Sequence, residues 1–218
     1  MSSVFTRFSP DNSVRLRHKQ FAARTGVFPR GLRTMDKSVM TGPMMIDTAR
    51  LRLVAITPEL ARDQVEDPAA FFAALGVDPE PAWPPELATH ELLSRMSAEL
   101  AGRPECTGWY QWVYVLPVLN RLVGMGGFQG EPSADGEIEI GYTMLTSYRE
   151  QGLATEGVEA LLDWAYEHDS VRAVIARTSP DRVAARRVLE KVGFTQSGPG
   201  SSSSEIIEFR HVRAAAAA

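Results

Sequence analysis

The stretch Arg149-Glu150-Gln151-Gly152-Leu153-Ala154 is the part of this 218-residue chain whose residue types and spacing point most directly to chemistry. It falls between a segment with strand alternation and one with helical periodicity, which predicts a strand-to-helix turn. At such a turn the first backbone N–H groups of the helix have no intrahelical partner and the helix dipole is positive, so phosphate oxygens are attracted. Gly152 permits positive φ and close approach of a ligand to the backbone, and the small Ala154 keeps the helix entrance open. The same pattern also fits a plain turn whose glycine is there for steric reasons. Two nucleotide-binding signatures are excluded: no Gly-Lys-Ser/Thr follows to make a P-loop, and the three-glycine dinucleotide fingerprint is missing.

The elements that must position this turn are legible on both sides. Upstream, Glu137-Ile138-Glu139-Ile140-Gly141-Tyr142-Thr143-Met144 alternates strictly. Ile138, Ile140 and Tyr142 therefore share one face of a strand, and Glu137, Glu139 and Gly141 the other. Downstream, Thr155 to Glu167 reads as an amphipathic helix with Val158, Leu161, Leu162 and Ala165 inward. Val171 to Ala176 is a short apolar strand, and Asp181 opens a second helix with Ala185, Val188, Leu189 and Val192 at helical spacing, stopped by Gly193. Ser197 to Ser204 reads as a flexible Gly/Ser loop before a last strand, Glu205 to Val212.

In the first half, Leu51 to Ile56 reads as a strand and Pro58 to Glu66 as a helix, while five prolines in residues 67–90 predict short helices joined by loops. Glu91 to Leu100 restores a helical stripe at Leu92, Leu93, Met96 and Leu100. Trp109 to Leu116 and Leu122 to Phe128 read as a hairpin. Several strands followed by strand-helix-strand-helix-strand imply a mixed sheet with helices on its faces.

The Arg-x-x-Gly-x-Ala pattern at Arg149 to Ala154 resembles the pyrophosphate-binding signature of GNAT acetyltransferases, and in particular the group acting on ribosomal-protein N-termini. Three further stretches are similar to that group and occur in the same order. They are Thr48-Ala49-Arg50-Leu51-Arg52-Leu53, Glu139-Ile140-Gly141-Tyr142, and Arg187-Val188-Leu189-Glu190-Lys191-Val192-Gly193-Phe194. The resemblance covers residues 45–213. It implies the acyl-CoA N-acyltransferase fold, an α/β (α+β) arrangement with a mixed, mostly antiparallel central sheet flanked by helices.

It also implies roles. The backbone amides of Arg149, Glu150, Gln151, Gly152, Leu153, Ala154 and Thr155 would cradle the pyrophosphate of acetyl-CoA, with side-chain contacts from Arg149 and Gln151. The strand edge at Tyr142, Thr143 and Met144 would pair with the pantetheine amides as an added strand does. A splay between this strand and Val171 to Ala176 would admit the thioester. The thioester is already activated, so no metal is called for. Attack requires a neutral amine, whereas an alkyl ammonium has a pKa of about 10.4. Glu139 is the first choice for the base that accepts the proton and Glu137 the second, acting alone or together as a like-charge pair. Alternation alone accounts equally for both as solvated strand residues.

Two positions depart from the family pattern. Arg182 stands where relatives commonly have Asn, and Ala185 where they have the Ser credited with protonating the departing thiolate. No tyrosine follows Tyr166 to take that role. Thr178 or Ser179 would substitute, unless they simply cap the next helix; a thiol of pKa about 8.5 needs little help. The reading is acetyl transfer from acetyl-CoA to a primary amine, either a peptide N-terminus or a small molecule. The alternative is a non-catalytic acyl-CoA sensor or interaction module. Trp83, Trp109 and Trp112 are candidates for an acceptor pocket or, as large aromatics generally are, for the core. Cys106 reads as a bystander.

Composition bounds the rest. With 44% hydrophobic and 23% charged residues the chain is globular. A lone cysteine and four scattered histidines predict no disulfide, no metal site and a reducing cytoplasm. Eight Lys or Arg against two Asp give residues 1–40 a net charge of +6 and leave −10 on the remainder, which disfavours nucleic acid and suits a cationic acceptor. No apolar run is long enough for a membrane span, and a homodimer is compatible with the sequence. Residues 1–44 lack periodicity and are expected to form an extension, a transit-peptide-like leader or an overextended start upstream of Met44 or Met45, residues 45–213 the catalytic domain, and Ala214 to Ala218 a tail foreign to the native chain.

Overall fold

The computed structural model describes residues 44–199 and 206–213. The expected N-terminal extension, the Ala tail and most of the Gly/Ser loop lie outside these residues. In chain order the elements are β1 (Met45–Asp47), β2 (Arg52–Ala55), α1 (Pro58–Glu66), α2 (Pro68–Leu75), α3 (His90–Gly102), β3 (Gln111–Leu116), β4 (Arg121–Phe128), β5 (Glu137–Met144), α4 (Leu153–Tyr166), β6 (Ala173–Thr178), α5 (Val183–Lys191), β7 (Thr195–Pro199) and β8 (Ile207–Val212). Local chemistry sets several boundaries. Thr57 accepts a hydrogen bond from the Leu60 N–H just ahead of Pro58, and Thr89 does the same for Leu92, so α1 and α3 each begin on a capping hydroxyl.

The eight strands form one sheet in the order β1-β2-β3-β4-β5-β6-β8-β7. Every neighbouring pair is antiparallel except β5 with β6, which run parallel. The mixed, mostly antiparallel sheet is thus as expected, with two differences at its edges. Strand β1 was not legible because three residues carry no readable period; its pairing of Met45 with Val54 creates it, and the Met44 carbonyl accepts from Ala55 N–H. Strand β7 extends to Pro199 where a flexible loop was expected from Ser197. Pairing with β8 at Gly198–Glu208 and Pro199–Ile207 overrides the weak strand preference of Ser and Gly.

Both sheet faces are covered, which is why β3 is apolar at nearly every position. Leu53, Trp112, Tyr114, Ile138 and Ile140 pack with Val158, Leu161 and Leu189 of α4 and α5. Val54, Val113, Val115, Leu122 and Met125 pack on the other side with Leu60, Phe71, Leu93 and Leu100 of α1 to α3. Tyr114 shows how closely α4 approaches the sheet. Its ring threads between Gly126 of β4 and Gly157 of α4, and a Cβ on Gly157 would lie 2.6 Å from the ring edge. The sheet then opens. Strands β5 and β6 pair only at Glu137–Ala173, Ile138–Val174 and Glu139–Ile175, although β5 runs on to Met144 and β6 to Thr178.

Two stability changes follow. Gly157→Ala in a helix ordinarily gains about 1 kcal/mol, but overpacking against Tyr114 costs about 1–3 kcal/mol, so thermal unfolding of this variant is expected at a lower temperature than wild type. A higher Tm would mean that the ring moves aside freely. At the far end of α4, the Tyr166 hydroxyl contacts Nδ1 and donates to the carbonyl of His211, each at 2.9 Å. Burial lowers the His211 pKa, with Asp163 opposing. The unfolded chain, with His near about 6.5, therefore binds a proton first as pH falls. This share of stability is present above that value and is lost as pH falls toward the folded pKa. Replacing His211 with Gln should flatten the Tm decline as pH falls through about 6.5 and below; an unchanged decline would place it on other groups.

Candidate active site

The turn between β5 and α4 has the geometry of an anion cradle. A single 3₁₀ turn, Thr146–Tyr148, follows β5, and the chain then passes through two left-handed residues, Glu150 at φ 63° and Gly152 at φ 77°. Gly152 is the residue preceding α4 and supplies no side-chain cap. Among the described residues, no protein acceptor meets the backbone N–H groups of Gln151, Gly152, Leu153, Ala154 or Thr155. These donors converge at the positive end of a 14-residue helix. The left-handed backbone accounts for glycine at 152, since a Cβ there would meet only Arg50 Nη2, at 3.4 Å.

The side chains expected around the cradle divide. Arg149 Nε donates to the Met144 carbonyl at 3.2 Å, and its Nη2 lies 3.5 Å from Glu86, leaving the guanidinium half-exposed at the turn. Gln151 instead donates to the Ser147 carbonyl at 3.1 Å and braces the turn internally. Leu153 and Met144 are buried in the core, so only their backbone groups face a ligand. Tyr142 and Thr143 line the opening between β5 and β6.

That opening belongs to a cavity of about 780 Å³. One wall is β5 at Gly141 to Thr143; another is the end of β6 with Thr178, Ser179 and, from α5, Arg182 and Ala185. The far side lies under α3, where Leu92, Arg95, Met96 and Glu99 make an i, i+3, i+4, i+7 stripe facing Tyr110 and Gln129. The residues Leu92 and Met96, expected in the core, line this cavity, while Leu93 and Leu100 are buried. Across the opening the Tyr142 hydroxyl donates to the Ala185 carbonyl at 2.8 Å. Burial pushes the Tyr142 phenol pKa up, so it stays a protonated donor.

Glu137 and Glu139 share a face of β5, as alternation requires, but neither lies on the cavity wall. Each has its own arginine instead of acting as a like-charge pair: Glu137 is hydrogen-bonded to Arg210, and Glu139 to Arg177. Arg177 also reaches Glu208 at 2.9 Å and itself lines the cavity, which leaves Glu139 one contact behind the wall. None of the three tryptophans considered for an acceptor pocket lines this cavity. Trp112 is fully buried, Trp109 packs against Trp164, Phe128 and His168, and Trp83 stacks on Phe71. Cys106 is buried, which pushes its thiol pKa up, and it does not line the cavity.

Sequence reasoning missed Tyr110, Arg177 and the α3 stripe, whose polar members carry no motif. It also missed Tyr114, whose buried hydroxyl has no partner among the described residues. Two glycines opposite a strand tyrosine are its only signal. Among the described residues, no helix is long and apolar enough to cross a membrane.

A mixed sheet that opens between its two parallel strands, with a free-amide turn after the first of them, is the arrangement that the resemblance to acyl-CoA-dependent transferases implies. The sequence matches the acetyltransferase (GNAT) domain family over residues 50–195, and the chain belongs to that family of N-acetyltransferases, which use acetyl-CoA. It is 28% identical over 151 residues to the uncharacterized N-acetyltransferase YjdG of Bacillus subtilis, spanning 69% of this chain and 89% of the relative. In fold it is similar to the ribosomal-protein-S5-alanine acetyltransferase from Vibrio fischeri, with TM-score 0.56, 14% identity and coverage of 78% of this chain and 96% of the other. Mycobacterium smegmatis RimJ in complex with CoA-disulfide is similar at TM-score 0.52 and 17% identity, over 74% of this chain and 81% of that one.

If the turn holds the donor's phosphates, CoA at about 100 times its Kd should stabilise the protein by ~2.7 kcal/mol. Gly152→Val, which forces a β-branched side chain into a left-handed conformation, should abolish that shift in thermal unfolding. A full shift in the variant would move phosphate binding elsewhere.

Proposed function

We propose that the protein transfers the acetyl group of acetyl-CoA to a primary amine by direct attack on the thioester. The observation that carries this reading is a cavity that reaches the β5–β6 opening at Gly141 to Thr143, on the strand that leads into the free-amide turn, and continues to Leu92, Arg95, Met96 and Glu99 of α3, room for a donor on one side and an acceptor on the other. The amides of Gln151 to Thr155 hold the pyrophosphate, and the edge of β5 that β6 has left pairs with the pantetheine amides. The acceptor enters beneath Arg95, Met96 and Glu99. Likeness to ribosomal-protein acetyltransferases supports a peptide N-terminus, and the chamber also suits a small-molecule amine.

Glu139 takes the ammonium proton through water, held in place by Arg177. The amine nitrogen then bonds to the thioester carbon, the C–S bond breaks, and the second proton, which the nitrogen sheds on becoming an amide, passes through solvent to the departing thiolate. With a thiol pKa of about 8.5 the leaving group is competent without a dedicated acid. Thr178 and Ser179, both on the wall, are hydroxyls within the same opening, and Ala185 offers none. The single cysteine suits a reducing cytoplasm.

A second reading, a non-catalytic acyl-CoA sensor, is favoured by Ala185 and by the engagement of Glu139 with Arg177. Thiol release from acetyl-CoA in the presence of an amine panel separates the two, since a sensor binds CoA but releases none. For the enzyme, Glu139→Gln should lower kcat by about 10²-fold with CoA affinity nearly unchanged, and the acidic limb of the pH–rate profile should disappear. Glu137→Gln should do much less. Full turnover of Glu139→Gln with an unaltered profile would remove Glu139 from the reaction.

A further inference from the structure

The cradle turn is held from outside by the connection between β1 and β2. Thr48 closes that connection, donating through its backbone N–H to the Leu51 carbonyl at 2.8 Å and accepting through Oγ1 from Leu51 N–H at 2.9 Å, which leaves the hydroxyl proton for another acceptor. The closed turn presents three donors to one carboxylate in the first turn of α4. Thr48 Oγ1, Arg50 N and Arg50 Nε each lie 2.7 Å from the oxygens of Glu156. The same guanidinium continues to the cradle, where Arg50 Nη1 donates to the Gln151 carbonyl at 2.8 Å. The two segments are 101 to 108 residues apart in sequence, so no local propensity brings them together.

Two physical consequences follow. A trans peptide plane carries its C=O and N–H on opposite sides. With the Gln151 oxygen held on Arg50's side, the Gly152 N–H must point to the other. Positive φ at Glu150 and Gly152 makes this plane a place where the chain would otherwise have freedom to flip. In addition, a carboxylate in the first turn of a helix is able to fold back onto the free N–H groups there, or to repel an anion approaching them. Glu156 does neither while three donors hold it. Burial alone would raise its pKa, but the bonds from Thr48 and Arg50 and the arginine's charge lower it, keeping it an anion engaged with the clasp.

We propose that Thr48, Arg50 and Glu156 form a clasp that aims the cradle amides at the donor's phosphates, with Arg50 as its positioning residue. This rests on the cradle reading of the Gln151–Thr155 turn. Arg50 acts through the orientation of the Gln151–Gly152 peptide and by occupying the Glu156 carboxylate.

The test is calorimetric CoA binding by the full chain, together with the ¹H–¹⁵N heteronuclear NOE of Gly152 without ligand. Arg50→Ala should raise the CoA Kd at least tenfold and lower the Gly152 NOE. In turnover assays KM for acetyl-CoA should rise by a similar factor with kcat within about twofold, the signature of lost binding alone. Thr48→Val, which removes one donor and keeps the fold's bulk, should give a smaller increase in Kd and serves if Arg50→Ala does not fold. Unchanged CoA affinity in both variants, while Gly152→Val abolishes binding, would overturn the clasp and leave the cradle standing. Binding unaffected by Gly152→Val would overturn the cradle and the clasp with it. Weaker CoA binding by Arg50→Ala with an unchanged Gly152 NOE would also overturn the proposal, making Arg50 a direct phosphate contact.

Discussion

The parting of β5 from β6 after Glu139 and Ile175 is the constraint on which the rest of the structure depends. A sheet gains its cohesion from paired backbone groups, and an interior strand that loses its neighbour exposes N–H and C=O groups that must find partners. Holding such a gap open requires anchoring at its closed end and supports on both faces. The closed end is stitched by ion pairs across three strands: Glu139 of β5 to Arg177 of β6 to Glu208 of β8, with Glu137 reaching Arg210 beside them. Single exposed pairs contribute little, about 0–1 kcal/mol. A network spanning three strands at the point where they diverge does more to set direction than to add stability.

The open end is spanned on the helical side by Tyr142, whose hydroxyl meets the Ala185 carbonyl. An alanine at 185 has no hydroxyl of its own, and a side chain from the opposing strand takes up the polar group beside it. Tyr114 lies behind Tyr142, enclosed by Gly126 and Gly157. Glycine at both positions lets α4 approach the sheet closely, and α4 is the helix whose first turn carries the free amides. Packing of the core and placement of the first turn of α4 are therefore one problem, solved by the same pair of missing side chains.

Glu139 illustrates how one residue serves two demands. Its contact with Arg177 helps anchor the strands, and Arg177 forms part of the cavity wall. A carboxylate so engaged is fixed in position and connected to the cavity through its partner. The far wall of the cavity, by contrast, is made by α3, whose two faces divide the work. Leu93 and Leu100 pack into the core, while Leu92, Arg95, Met96 and Glu99 look into the cavity.

By itself the sequence determined most of the elements and the glycine turn between β5 and α4. Period-two alternation at Glu137 to Met144 and helical spacing in Thr155 to Glu167 are local consequences of burying one face, and the glycine at 152 marks a backbone that only glycine readily adopts. The two carboxylates were placed on one face of β5 for the same reason. Strand β1, with three residues, and the Ser/Gly-rich end of β7 were not legible, because their conformations come from ladder partners and not from their own residues. Tertiary structure alone decided that Glu137 and Glu139 meet separate arginines, that Trp109 and Trp112 fill the core, and that Leu92 and Met96 of α3 face a cavity while Leu93 and Leu100 do not. It also decided that Arg50, about a hundred residues away in sequence, holds the Gln151 carbonyl. Each of these depends on which distant segments the sheet order brings together, and that order is set by the summed burial of both sheet faces, which no local pattern encodes.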